Sequence, residues 1–323
     1  MRKTSENDNE QLVDVLVIGG ASAGLSGALT LARARRSVVV IDSGKPRNLP
    51  AAASHGFLTR DGVAPTELVR LGAEEVAAYG GTVVTDIVTG VSGHNGDFTV
   101  TTEAGRSFHA RRLLVTTGLS DELPDVPGLW QRWGRDVFHC PYCHGWEVRD
   151  QPIGVLDSGP NGVHQALLLR QWSDSVTLFL HRAADPSDEQ FAQLAARGIT
   201  VVDGEVSGLD IVDDQLAGVR LETGTRLPVR ALAVAPTFTA RAGFLADLGL
   251  TTVEHPSGMG DHLAADANGL TAVAGVWAAG TVTDPMANVA MSVGAGARAA
   301  VMLNADLMFA DVAEAVADTG LAA

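Results

Sequence analysis

The chain has 323 residues, 46% hydrophobic and 19% charged, which is enough to bury the cores of two domains. Lys and Arg total 23 against 38 Asp and Glu, a net charge of −15. That balance argues against nucleic acid and anionic membrane as partners and leaves the fold open.

Residues 1–11 are polar and of mixed charge, so they read as a tail rather than a signal peptide. No uninterrupted apolar run is long enough for a membrane span. The Ala/Gly-rich stretch 272–300 comes nearest and is broken by Asp284, Asn288 and Arg298. A cytoplasmic location is expected.

Val13–Ile18 is continuously apolar, the pattern of a parallel strand covered on both faces. The turn Gly19-Gly20-Ala21-Ser22-Ala23-Gly24 follows, then a helical segment from Leu25 to Arg36 with Ala28, Leu31 and Ala32 on one face. A second strand, Ser37–Ile41, ends at Asp42. Such a unit brings backbone N–H groups to a pyrophosphate at a helix start and an acid to ribose hydroxyls. Ala21 stands where the G-x-G-x-x-G pattern has its middle glycine. A tight strand–helix turn without a ligand is the plainer alternative.

Between 81 and 116 short strands alternate with turns at Gly96-Asp97 and Ala104-Gly105, and Thr116-Thr117-Gly118 closes the last of them. The Pro/Gly stretch 123–128 reads as a linker near a domain boundary.

The only cysteines, Cys140 and Cys143, lie in His139-Cys140-Pro141-Tyr142-Cys143-His144-Gly145. A C-x-x-C pair can open and close as a disulfide with little backbone motion, and this setting lowers a thiol pKa. A purely structural disulfide is disfavoured because so short a loop barely constrains the unfolded chain. A zinc site from His139, Cys140, Cys143 and His144 lacks a second Cys/His pair, so no metal is expected. Trp130, Trp133, Phe138, Tyr142 and Trp146 surround the pair in sequence, either as pocket wall or as core.

A second strand–turn–helix–strand unit follows: strand 153–156, turn 157–162, helix 163–172, strand 176–180. Its first glycine position holds Asp157, the wrong charge for a pyrophosphate. Near the C-terminus a strand ends in Ala278-Ala279-Gly280-Thr281, and a small-residue helix from 287 to 305 follows. Small residues there permit close approach to a flat ligand.

These motifs, in this order over nearly the whole chain, resemble the low-molecular-weight thioredoxin reductase family of flavoproteins. The resemblance implies an α/β fold of two Rossmann-like βαβ domains, the second inserted into the first. An FAD-binding domain would comprise 12–119 and 243–323, and the inserted NAD(P)-domain-like unit, 120–242, would carry the C-x-x-C. FAD would be held by Gly19, Gly20, Ala21, Ser22, Ala23, Gly24, Asp42, Thr117, Gly118, Gly280 and Thr281, with His55 nearby. The run Cys140–Gly145 looks most like the dithiol oxidases that form disulfides in natural products such as gliotoxin and holomycin.

Departures from the reductases agree with that subgroup. The aspartate expected after the second cysteine is His144, Asp157 breaks the nicotinamide-nucleotide turn, and Arg182 is followed by Ala183 rather than a second arginine. The ribityl aspartate of the family is Thr281, whose hydroxyl can still hydrogen-bond. By resemblance Cys140 is the interchange thiol, Cys143 faces the flavin, and His144, or His139, takes the substrate proton. The implied reaction oxidises a small-molecule dithiol to an intramolecular disulfide, with oxygen as acceptor and hydrogen peroxide as product. The alternative is an NADPH- or ferredoxin-dependent thioredoxin or disulfide reductase. The family is usually homodimeric, which sets that expectation here.

Overall fold

The computed structural model describes residues 12–319. The chain opens with β1 (Leu12–Ile18), α1 (Ser22–Arg33), β2 (Val38–Asp42), α2 (Pro65–Ala78), β3 (Thr82–Thr85), β4 (Val88–His94), β5 (Asp97–Thr102) and β6 (Ser107–Val115). The sheet runs β3-β2-β1-β6-β5-β4, parallel from β3 to β6. Val15, Leu16 and Val17 of β1 are fully buried, which is why that strand shows no polar alternation. The β4–β5–β6 meander is antiparallel, as its alternating segments require.

The chain leaves this sheet through β7 (Leu119–Glu122). There follow α3 (Leu129–Arg132), β8 (Val137–Phe138), α4 (Pro141–His144), β9 (Ile153–Leu156), α5 (Gly162–Leu169), β10 (Val176–Phe179), α6 (Asp188–Ala196) and β11 (Thr200–Val202). A three-stranded antiparallel sheet, β12 (Val206–Val212), β13 (Gln215–Leu221) and β14 (Arg226–Leu227), precedes β15 (Ala231–Val234). The second main sheet is entirely parallel, in the order β11-β10-β9-β15-β8. Leu123 and Val126 pack into its core, so the Pro/Gly stretch is anchored there.

The return runs through β16 (Thr237–Ala240), antiparallel to β7, so outgoing and incoming chains are hydrogen-bonded to each other. After a 3-10 turn (Gly243–Leu248) come β17 (Thr252–Glu254), β18 (Asp261–Leu263), β19 (Val276–Ala278) and α7 (Val289–Asp318). β19 rejoins the first sheet, parallel to the last three residues of β6. The α/β architecture of two Rossmann-like sheets, the first mixed and the second parallel, is as expected from the sequence.

Helix limits differ from the sequence reading. α1 begins at Ser22, inside the glycine turn, and α5 ends at Leu169. α7 runs on to Asp318, past the expected end at 305. Asp306 and Asp311, in this extension, pair with Arg112 and with Arg36 and Arg111 respectively. α1 and α7 cross on glycine, where a Cβ on Gly27 would lie 3.2 Å from the Gly296 carbonyl oxygen. None of the described helices is long and apolar enough to cross a membrane.

Candidate active site between the glycine turn and the cysteine pair

β1 delivers the glycine turn to the top of the first sheet. Gly19 has φ 104°, and a Cβ there would lie 2.7 Å from the Thr116 carbonyl carbon and 2.9 Å from the Thr117 nitrogen. Thr116 locks the turn from β6 by donating its hydroxyl to the Gly19 carbonyl at 2.7 Å. Asp42 accepts from the N–H groups of Gly20 at 2.8 Å and Gly44 at 2.9 Å, fastening the turn to the end of β2. The first turn of α1 has no side-chain cap, so its N–H groups remain for a ligand.

A cleft of about 1060 Å³ opens above this turn. Gly19, Ala21, Ser22, Ala23, Asp42, Thr117, Gly118 and Thr281 line it, as do Cys140, Cys143, His139, His144 and His55. Gly20, Gly24 and Gly280 do not. They act behind the wall, where a Cβ on Gly24 would lie 2.7 Å from Thr116 Oγ1 and one on Gly280 would lie 2.8 Å from Ala23 Cβ. The N-terminus of α7, capped by Asn288, opens on the same cleft and favours negative charge within it.

Cys140 and Cys143 are joined as a disulfide across the single turn of α4, with Cα atoms 5.3 Å apart. Cys140 is the N-cap, and the Cys143 N–H points at Cys140 Sγ at 3.2 Å. That N–H would stabilise a thiolate on Cys140 once the bond opens. Among the described residues there is no cluster of His, Cys, Asp and Glu suited to a metal ion.

The two candidate bases differ. His139 reaches the cleft at one edge, but its Nδ1 is sealed from water without a hydrogen-bond partner. Burial first, and then the Arg47 guanidinium, push its imidazole down to about 4. Burial also lowers His144, opposed by the Glu147 carboxylate and by the Arg135 carbonyl that its ring contacts. Both rings are therefore neutral at neutral pH, and His144 keeps more of its basicity. Below the ordinary histidine pKa of 6.5 the unfolded chain binds a proton that folded His139 refuses. Stability contributed by neutral His139 is present above pH 6.5 and lost as pH falls toward about 4, by at most about 3 kcal/mol. Urea midpoints at the two ends of this window should separate less in His139→Gln than in the wild type. An equal separation would show that His139 does not contribute.

In the second parallel sheet Asp157 is only 5% exposed, with Oδ1 unpartnered. Its carboxyl sits against the start of α5, where a Cβ on Gly162 would lie 2.6 Å from Oδ2. Burial raises its pKa, and an N–H from Gly159 partly offsets this. The adjoining cleft, about 700 Å³, is also lined by Glu122, Asp125 and Asp185. Its Arg182 is bound by Glu205, with Nε donating at 2.8 Å.

Of the five aromatics near the cysteines, Trp133, Phe138 and Tyr142 line the main cleft, whereas Trp130 and Trp146 do not. Trp172, overlooked in the sequence, meets Tyr142 edge to face at 5.7 Å. Arg47 was also missed. It lines the cleft, donates to both oxygens of Asp121 and lies over the Phe238 ring. Its partners are far away in sequence, so no local pattern announces it.

Residues 13–302 match the family described as pyridine nucleotide-disulphide oxidoreductase. Thioredoxin reductase sirT of Leptosphaeria maculans is 32% identical over 319 residues, covering 94% of this chain and 96% of its own. The crystal structure of HlmI matches with a TM-score of 0.90 at 46% identity, over 96% of this chain and 97% of HlmI. An oxidoreductase from Agrobacterium tumefaciens matches with a TM-score of 0.87 at 37% identity, over 93% and 99%.

Proposed function

Because the chain belongs to the pyridine nucleotide-disulphide oxidoreductases and is an FAD flavoprotein, we propose that it is a dithiol oxidase acting on a small natural-product dithiol. It would close an intramolecular disulfide in that substrate and pass the electrons to oxygen, giving hydrogen peroxide. The observation that carries this reading is one cleft lined by both the glycine turn and the cysteine disulfide, beside a second nucleotide turn filled by its own carboxylate.

Gly19, Ala21, Ser22 and Ala23 would receive the FAD pyrophosphate, Asp42 the ribose, and Thr117, Gly118 and Thr281 the flavin end. Gly20, Gly24 and Gly280 would hold the cradle's shape. Bound FAD supplies a two-electron sink that oxygen can empty.

The protein's own part is thiol exchange. A substrate thiol attacks Cys140 Sγ, its proton goes to His144, and the electron pair of the cysteine disulfide leaves on Cys143. Once His144 has released the first proton to solvent, the second substrate thiol gives its own proton to His144 and attacks the substrate sulfur of the mixed disulfide, releasing the product disulfide and a Cys140 thiolate. A thiol is only a few per cent ionised at neutral pH, so a poised base is worth roughly 10²–10⁴-fold. His144 fits that role better than His139, whose proton affinity is too low. A homodimer in the cytoplasm belongs to the same reading, and the exposed apolar residues Val301, Met308, Phe309 and Val312 of α7 suit a partner subunit.

The name of sirT favours a second reading, an NADPH- or ferredoxin-dependent disulfide reductase. Oxygen-electrode traces separate the two. Uptake with a small dithiol and no pyridine nucleotide, matched by peroxide, is expected of the oxidase. Uptake that needs NADPH, or none with any dithiol, would refute it.

A further inference from the structure

The loop between β2 and α2, residues 43–64, springs from the first sheet and reaches the part of the chain that carries the cysteines. It is folded back on itself, with Ser54 N–H donating to the Val63 carbonyl at 2.7 Å and Asn48 Nδ2 donating to Ser54 Oγ at 3.1 Å. Ser43, Arg47, Pro50 and His55 of this loop line the cleft shared by the glycine turn and the disulfide.

Arg47 forks onto Asp121 of β7, with Nη2 donating to Oδ1 at 2.6 Å and Nε to Oδ2 at 3.0 Å, and the Asp121 side chain is only 7% exposed. The same guanidinium lies 4.9 Å from the centre of the Phe238 ring of β16. That ring in turn meets His139 edge to face at 5.4 Å. Contact therefore passes from the loop, through both crossing strands, to the residue beside Cys140. Gly134 packs directly on the loop backbone. Its φ is 78°, and a Cβ on it would lie 2.7 Å from Pro50 Cβ and 2.9 Å from the Ala51 nitrogen. Past α4, His55 Nε2 lies 3.4 Å from Glu147 Oε1. Gly134 precedes the cysteines and Glu147 follows them, so the loop holds the disulfide segment from both sides.

We propose that this loop is a strap that fixes the disulfide over the flavin site, with Arg47 as its chief positioning residue. The proposal rests on the dithiol reading above, in which Cys140 and Cys143 surrender electrons to bound FAD. Re-forming the Cys140–Cys143 bond releases two electrons to the flavin, and the two thiol protons go to the flavin and to solvent. Such a step tolerates little misplacement. The ribbon of β7 and β16 does not set the geometry alone, because two paired strands are only marginally stable by themselves. Arg47 suits the task chemically. Its planar guanidinium binds one carboxylate in a fixed orientation while covering an aromatic face, and a lysine cannot do both.

The test follows two events in flavin-loaded protein mixed anaerobically with dithiothreitol. Rapid alkylation and mass measurement report the appearance of Cys140 and Cys143 thiols, and visible absorbance reports bleaching of the flavin. Arg47→Ala combined with Asp121→Ala removes both charges together, so neither is left buried alone. In this double variant thiols should appear at least as fast as in the wild type, while the flavin bleaches about 10–100-fold more slowly. Arg47→Lys should fall between the two, because it keeps the charge and loses the fork. Gly134→Ala loosens the strap elsewhere with the ion pair intact and should show the same split, and it decides the question if the double variant does not fold. Bleaching at the wild-type rate in these variants, or thiol appearance and bleaching slowed equally, would overturn the strap alone. A wild-type flavin that stays oxidised under dithiothreitol would overturn the dithiol reading and the strap with it.

Discussion

Cys143→Ser and Cys140→Ser are each expected to abolish dithiol oxidation, with a loss of at least about 10³-fold, while the protein stays yellow. A serine hydroxyl cannot form the disulfide that accepts the substrate's electrons. The two thiols act in series, so neither can substitute for the other. Neither cysteine belongs to the glycine turn, Asp42 or Thr116, so flavin content should match the wild type. Oxygen uptake and the visible spectrum of each variant measure both properties. Full activity in either variant would rule out the exchange scheme.

Gly24→Ala should remove the flavin and destabilise the first sheet. The added methyl would drive into the Gly19 carbonyl oxygen and come within 2.7 Å of Thr116 Oγ1. Those atoms hold the turn through the hydroxyl bond from Thr116 to Gly19, so the turn cannot yield without opening. Overpacking of this kind costs about 1–3 kcal/mol, occasionally more, and the obstruction here is backbone. Gly159→Ala is the control, because a Cβ there would meet nothing within 4 Å. Denaturation midpoints and flavin-to-protein ratios should fall for Gly24→Ala only. A fully loaded, stable Gly24→Ala would mean that the turn does not need this glycine.

The first nucleotide unit was legible because each of its signals is local: a buried apolar strand, a small-residue turn, and an acid ending the next strand. The start of α1 was misplaced because its first residues, Ser22, Ala23 and Gly24, read as loop, although their small size is what lets them approach a ligand. α2 escaped notice because only Pro65 and Val76 are buried in it, too few to give an apolar stripe. α6 similarly buries only Leu194. In α7 the small-residue pattern stopped at 305, and the arginine partners of Asp306 and Asp311 in its continuation come from far away in sequence.

The site shows the same division. The cysteine pair and its flanking histidines were readable from spacing. The difference between the histidines was not, because it depends on burial and on Arg47, which arrives from another part of the chain. Asp157 was recognised as the wrong charge, but its position against Gly162 turns an eroded turn into a filled one. His55 and Glu147 are distant in sequence, and their 3.4 Å approach could be seen only once the chain was folded.

Anaerobic mixing of the flavoprotein with a small dithiol, and separately with NADPH, tests most directly whether electrons enter through Cys140 and Cys143. The flavin's visible absorbance should bleach with the dithiol at a rate sufficient for turnover and remain unchanged with NADPH. Rapid bleaching by NADPH, with the dithiol inert, would contradict the assignment.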